Sequence, residues 1–416
     1  MRVAIIHRTN VGEEDNLEEL SELCRTAGYN VVYRVKQERP PHPEYNIGPG
    51  KVEELAKAVR ELGIEKVVFE NELKPIQEYN LAKKLGVQVI TRTQLILEIF
   101  TLHASSIEAR LQIKLAELKY ELPRAKEKVR LAKKGEQPGF HGLGAYEADV
   151  YYDEIHRRIV YINKKLEAIK KHMDLIRVER KKLGLPIISL AGYTNAGKST
   201  LFNLLTFEDV EVNSQLFTTL TPTTRIVRLD GKPVFLSDTV GFINNLPTLL
   251  IEAFYATLRE IALSDLILLM VDASEPLQIV EKKLETSLDT LSSIGAGGVP
   301  ILLVFNKIDL TDLDEIEKKI KRLNLPYEYV AISAKTGWNI KSLEEKVSRM
   351  LKGFIRVKAT IPFNSTSMKM IKEIYNKSKV INIEYDDSCV KVDVETTIEL
   401  AERIRKLSEG GEFRVG

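Results

Sequence analysis

Residues 192–200 read GYTNAGKST, and few nine-residue stretches restrict a fold more tightly. The pattern G-x-x-x-x-G-K-[ST] requires a strand before it and a helix after it. Its glycines let the backbone turn N–H groups inward on a phosphate chain at a helix N-terminus. Both neighbours are present: IISLA enters as an apolar strand, and STLFNLLTF leaves with helical spacing. The candidate phosphate-binding residues are Gly192, Tyr193, Thr194, Asn195, Ala196, Gly197, Lys198, Ser199 and Thr200. Lys198 is suited to reach the outer phosphates and the Ser199 hydroxyl to hold Mg²⁺. ATP and GTP proteins share this loop, so alone it specifies a phosphate chain and not a base.

Further stretches bear on the base and the metal. Asp238, Thr239, Val240 and Gly241 follow the apolar strand VFLS. Asp238 can hold Mg²⁺ through water, and the Gly241 N–H can meet a γ-phosphate and register its loss. Asn306, Lys307, Ile308 and Asp309 end the strand ILLVF. The Asp309 carboxylate can accept both N1–H and the 2-amino group of guanine, a donor pair that adenine lacks. A wrong base would leave that acceptor unpaired. Ser333, Ala334 and Lys335 follow YVAI and support the same base from the other side. Between the phosphate loop and Asp238 lies LFTTLTPTTR, where one threonine hydroxyl completes the Mg²⁺ shell in the triphosphate state. Five elements in this order, each at a strand end, point to GTP and GDP.

Around this core the period of the sequence changes three times. Residues 1–100 alternate strands (RVAIIHR, YNVVYRV, KVVFEN, VQVIT) with helices closed by Gly28, Gly63 and Gly86, which predicts a small parallel sheet covered by helices. Residues 101–183 are helical. Ile155, Ile159, Ile162, Leu166, Ile169, Met173 and Ile176 form a heptad seam, and Ile107, Leu111, Leu115, Leu118 and Leu122 form a second stripe before Pro123. The breaker KKGEQPGFHGLGAYE between them predicts an antiparallel, coiled-coil hairpin with its tip near Gly139 to Gly144. The seam can close on its own hairpin or on a second chain; a monomer is the expectation. Residues 184–353 are again α/β, and residues 354–416 read as a small α+β domain of strand, helix, two strands and helix.

Net charge is +2, but it is unevenly spread: residues 101–186 hold 19 Lys and Arg against 12 Asp and Glu, and the remainder 42 against 47. A basic middle between mildly acidic ends suits contact with nucleic acid, although the same residues could simply solvate a long helix. No uncharged stretch approaches the ~18 apolar residues of a membrane span, and no signal-peptide pattern opens the chain. The two cysteines, Cys24 and Cys389, form no metal or disulfide framework and read as ordinary buried thiols, so a cytoplasmic protein is expected.

Taken together, these stretches resemble the HflX family of ribosome-associated GTPases, within the translation-factor-type P-loop GTPases. The resemblance covers most of the chain: NIGPGKVEEL, FENELKPIQEYNLAKKLGVQVITRTQLILEIF, LQIKLAELKYELPR, the phosphate loop, FTTLTPTTR and DTVGFI. It implies a P-loop GTPase domain preceded by a small parallel α/β domain and a helical hairpin and followed by an α+β domain. It also implies a slow GTP-hydrolysing switch on the large ribosomal subunit, acting through rRNA in splitting or rescue under stress. Within Phe217, Thr218, Thr219, Leu220 and Thr221, it makes Thr219 the Mg²⁺-binding switch threonine, partner to Ser199 and Asp238, with Thr218 and Thr221 in reserve. Lys198, Thr219 and Gly241 are the implied catalytic groups. Where many GTPases carry a water-orienting glutamine this chain has Phe242, so unaided hydrolysis should be slow and a partner should accelerate it. Asn195 stands where potassium-using GTPases place a coordinating asparagine, making K⁺ a second candidate ion.

The chain departs from the family at GFHGLGAYEADVYYDEI, where a Gly-Glu-Thr-Gln-like stretch is absent, so the tip chemistry does not transfer. Two other readings stay open: a nucleotide-regulated RNA-remodelling protein, and a scaffold GTPase whose helical arm binds a protein. A phosphotransferase is disfavoured, since no acceptor pocket or catalytic base announces itself.

Overall fold

The structure, a computed structural model, describes residues 1–13, 15–104, 106–133, 145–206, 223–239, 241–243, 258, 260–408 and 413–415. These fall into two compact units, the first ending at Ile169 and the second beginning at Lys170.

The first unit opens with β1 (Arg2–Thr9), α1 (Leu17–Thr26), β2 (Asn30–Glu38), α2 (Pro49–Leu62), β3 (Lys66–Phe69), α3 (Pro75–Leu85), β4 (Gln88–Thr91) and α4 (Arg92–His103). The strands form a parallel sheet in the order β2-β1-β3-β4, as the alternation of periods predicts. Ala4, Ile6, Val67 and Phe69 from the sheet pack with Val52, Leu55 and Leu81 from the helices. Gly63 and Gly86 end α2 and α3 in the left-handed conformation that glycine adopts at no steric cost. The Thr91 hydroxyl caps α4 by accepting the Gln94 N–H. Cys24 is buried and its thiol is pushed up to about 12 by desolvation, whereas Cys389 is only half-buried; the expectation of two buried thiols holds for the first alone.

The helical region gives α5 (Ile107–Lys133) and α6 (Ala145–Lys182). Leu115, Leu118 and Ala125 of α5 share one apolar cluster with Ile155 and Ile162 of α6, so the two stripes do meet. Pro123 lies inside α5 and does not end it. Around the proline the helix is held from outside. The Tyr120 hydroxyl lies 2.8 Å from Thr91 Oγ1 and donates to Glu72 at 3.0 Å, while Arg124 donates to the Leu73 carbonyl at 2.9 Å and pairs with Glu78. The expected tip, Gly139 to Gly144, lies outside the described residues.

The second unit contains β5 (Ile187–Gly192), α7 (Lys198–Thr206), β6 (Thr223–Leu229), β7 (Lys232–Asp238), β8 (Leu266–Asp272), α8 (Leu277–Ser293), β9 (Ile301–Asn306), α9 (Leu313–Leu323), β10 (Glu328–Ala331) and α10 (Ile340–Met350). Its sheet runs β10-β9-β8-β5-β7-β6, with only the β6–β7 pair antiparallel. The central strand LILLMV is buried at every position, as a parallel strand covered on both faces must be.

The last sixty residues add β11 (Phe354–Pro362), α11 (Ser365–Lys377), β12 (Lys379–Tyr385), β13 (Cys389–Thr397), α12 (Ile398–Leu407) and β14 (Phe413–Val415). The antiparallel order β12-β13-β11-β14 with this β-α-β-β-α-β sequence is ferredoxin-like. Its final strand was not part of the sequence expectation. Three residues with turn signals before them carry too little periodicity to read alone. Lys232 links this domain to β7: its buried ammonium donates to the Ser348 carbonyl at 3.1 Å, pairs with Glu395 at 3.0 Å and lies over the Phe354 ring. Among the described residues no helix is long and apolar enough to cross a membrane.

Candidate functional site

The site assembles at the carboxyl ends of β5, β7, β8, β9 and β10, where an open parallel sheet presents its loops. Residues 193–197 leave β5 and enter α7 at Lys198, so the phosphate loop sits at a helix N-terminus as its pattern demands. At Gly197 φ is +93°, and an added Cβ would stand 2.1 Å from Asn306 Nδ2. That amide donates to the Ala196 carbonyl at 2.9 Å, and its oxygen accepts the Ala334 N–H at 2.9 Å. One side chain therefore ties the phosphate loop, the Asn306 segment and the Ser333 segment together.

Lys198 is buried, and Nζ donates to the carbonyls of Tyr193 at 2.8 Å and Gly192 at 3.1 Å. Burial pulls its pKa down to about 8 against the opposing pull of Asp238. The Ser199 hydroxyl donates to Asp238 Oδ2 at 2.9 Å, which brings together two of the three expected metal-binding residues. A hydroxyl and a carboxylate beside a phosphate loop are the hard oxygen donors that Mg²⁺ takes. Thr239 is buried, and its hydroxyl donates to the Leu190 carbonyl at 2.6 Å, clamping β7 to β5 beyond their ladder. Gly241 approaches the loop so closely that a Cβ would lie 2.7 Å from Thr194 Cγ2 and 3.0 Å from Lys198 Nζ. Asn195 is exposed with φ +62°. Thr200 lies in the first turn of α7.

The residues expected to read the base also come together. Asp309 Oδ1 accepts from the Ser333 hydroxyl at 2.6 Å, which aims the carboxylate, and the same hydroxyl oxygen accepts the Thr336 N–H at 3.2 Å. Lys307 adopts φ +65° at the end of β9, with Ile308 buried behind it. Lys335 is exposed beside Ala334. Phe217, Thr218, Thr219, Leu220, Thr221 and Val240 lie outside the described residues. The motif reading omitted Asp272, which pairs with Lys307 at 2.6 Å. Its signal in the sequence was modest: an aspartate at the end of the apolar run LILLMV.

Phe242 is 3% exposed, so its ring is packed away from solvent. Its backbone forms a parallel bridge with Tyr193. Phe242 itself therefore presents no polar side-chain atom.

A family model described as a 50S ribosome-binding GTPase matches residues 187–307. Models described as GTP-binding GTPase N-terminal and GTP-binding GTPase Middle Region match residues 14–101 and 103–180. A curated relative, GTPase HflX of Thermococcus kodakarensis, is 38% identical over 98% of this chain and 94% of its own length. GTPase HflX of Methanocaldococcus jannaschii is 42% identical over 92% of this chain and 94% of its own. Among solved structures, a GTP-binding protein from Sulfolobus solfataricus in complex with GDP is similar to this chain at 30% identity. The match covers 84% of this chain and 99% of that one, with a TM-score of 0.47.

Proposed function

We propose, for a chain that belongs to the HflX family of GTPases and so binds and hydrolyses GTP, that it works as a slow switch on the large ribosomal subunit. The observation that carries the ribosomal part is the exposed face of α6. Arg157, Arg158, Lys164 and Lys165 are exposed there together with Tyr161, and Lys165 Nζ lies 4.7 Å from that ring's centre. Cations interleaved with an aromatic ring are what single-stranded and looped RNA recognises, the charges gripping phosphates and the ring offering a stacking face. Ile155 and Ile162 of the same helix are covered by the chain's own α5, in keeping with a monomer.

Ser199, Asp238 and, by the family resemblance, Thr219 would hold Mg²⁺, which neutralises charge on the phosphates. Lys198 would reach the outer phosphates from the loop, and Asp309 with Ser333 would read the guanine edge. The Gly241 segment would register the γ-phosphate, and with Phe242 turned inward hydrolysis would wait for a partner. Potassium is the proposed second ion at Asn195; equal hydrolysis rates in KCl and NaCl would remove it.

Co-sedimentation with separated ribosomal subunits tests the whole reading. The protein loaded with a non-hydrolysable GTP analogue should pellet with the large subunit at low salt and release steeply as salt rises. Equal retention of the GDP form, or salt-insensitive binding, would sink it.

A further inference from the structure

Asn306, Lys307 and Asp309 each gain from an anchor, because groups held still before a base arrives bind it at less entropic cost. Asn306 is held by Ala196 and Ala334, and Asp309 by Ser333. The anchor of Lys307 lies outside every motif of the site. Its ammonium sits 2.6 Å from Asp272 Oδ2. The aspartate side chain is 11% exposed and the lysine 22%, so solvent screens the pair only weakly.

Asp272 is itself locked. Its other oxygen accepts the Ser274 N–H at 3.1 Å and the Ser274 hydroxyl at 2.6 Å. In the sheet it lies opposite Asn306, and the next residue, Ala273, donates its N–H to the Asn306 carbonyl at 2.9 Å. The end of β8 thus grips the turn at Lys307 through both backbone and side chain. The same aspartate lines a narrow cleft with Tyr193, Thr194 and Ala196, which places it beside the phosphate loop.

We infer that Asp272, held by Ser274, is a positioning residue for guanine-nucleotide binding that acts through Lys307. A free lysine has many side-chain rotamers, and part of that freedom must be given up on binding. A lysine already tethered has surrendered that freedom during folding, so the bound nucleotide leaves more slowly. The inference rests on the assignment of Asn306–Asp309 to the guanine.

The test is the release rate of a fluorescent GDP from the full-length protein, together with its melting temperature. Asp272→Asn keeps the shape and the Ser274 contacts but removes the charge. It should raise the GDP release rate about three- to tenfold, the amount expected for one side chain that must now be ordered on binding. Ser274→Ala, which removes the hydroxyl contact to Asp272 and leaves the backbone N–H contact, should move release the same way by less, and it serves if the first variant folds poorly. In a Lys307→Met background, Asp272→Asn should add no further effect. Unchanged release in both Asp272→Asn and Ser274→Ala overturns the inference, as does an Asp272→Asn effect that persists in full without Lys307. Lys307→Met and Asp309→Ala alone report on the underlying assignment: if neither weakens GDP, that assignment fails; if both do and Asp272→Asn does not, only the positioning role fails.

Discussion

The Phe242 carbonyl accepts the Thr194 N–H at 2.8 Å, and the Phe242 N–H donates to the Gly192 carbonyl at 3.0 Å. Phe242 thus belongs to the frame of the phosphate loop through its backbone, while its ring is buried.

Placing a glutamine at this position should therefore not create an efficient enzyme. Phe242→Gln buries an amide in a site shaped for a ring and should lower stability by about 2–4 kcal/mol. Single-turnover GTP hydrolysis should stay within about threefold of wild type. A gain of tenfold or more would mean that the introduced amide reaches the nucleotide and that residue 242 limits hydrolysis.

Asp309→Asn should exchange base preference. An asparagine still accepts N1–H but meets the 2-amino group with a donor of its own, whereas xanthine offers a carbonyl there. GDP affinity should fall by about two orders of magnitude or more and xanthosine diphosphate affinity should rise, measured by calorimetry. Parallel loss of both would show that the carboxylate serves chiefly to hold Ser333.

Glu70, just after β3, is pushed up to about 7 by burial, with Arg92 opposing and Glu19 adding to the rise, and its Oε2 is buried without a hydrogen-bond partner. A carboxyl whose folded pKa lies above its unfolded value of 4.5 keeps its proton in the fold and loses it on unfolding. Stability should therefore fall as pH rises from about 4.5 to 7 and level off above, by an amount on the order of 1–3 kcal/mol. Hydrogen exchange of β1 and β3 amides, corrected for intrinsic rates, should show this slope in wild type and lose it in Glu70→Gln. A slope that survives the substitution belongs to another group.

Lys232 joins β7 to the C-terminal sheet through the Ser348 carbonyl, Glu395 and the Phe354 ring. Lys232→Ala should weaken the docking of residues 354–415 by about 2–3 kcal/mol, since a largely buried ammonium is removed from a partner and a carbonyl that remain. Lys232→Met, which keeps the stem against Phe354, should cost less. Limited proteolysis near Lys352 reads the difference; identical cleavage of all three proteins would show that the docking rests elsewhere.

What could be read before folding was local. The phosphate loop announces itself because strand, turn and helix signals occur within twenty residues, and α2 and α3 follow from the period of their apolar residues and the glycines that end them. Asp309 and Ser333 were legible as separate motifs for the same reason. The relations that make them a site were not. Asn306 reaches Ala196 across 110 positions, and Asp272 reaches Lys307 across a strand pairing, so no spacing rule in the sequence connects them. Around Pro123, Tyr120 and Arg124 of α5 likewise find Thr91, Glu72 and Leu73 in a distant part of the chain. Local patterns specify which segments become strand, turn or helix, because propensity and periodicity act over a few residues. Which side chain holds which is set only when the sheet brings strand ends within hydrogen-bond distance. That is why the sequence alone could point to guanine nucleotide chemistry, and only the tertiary structure revealed Asp272 and the inward-turned Phe242.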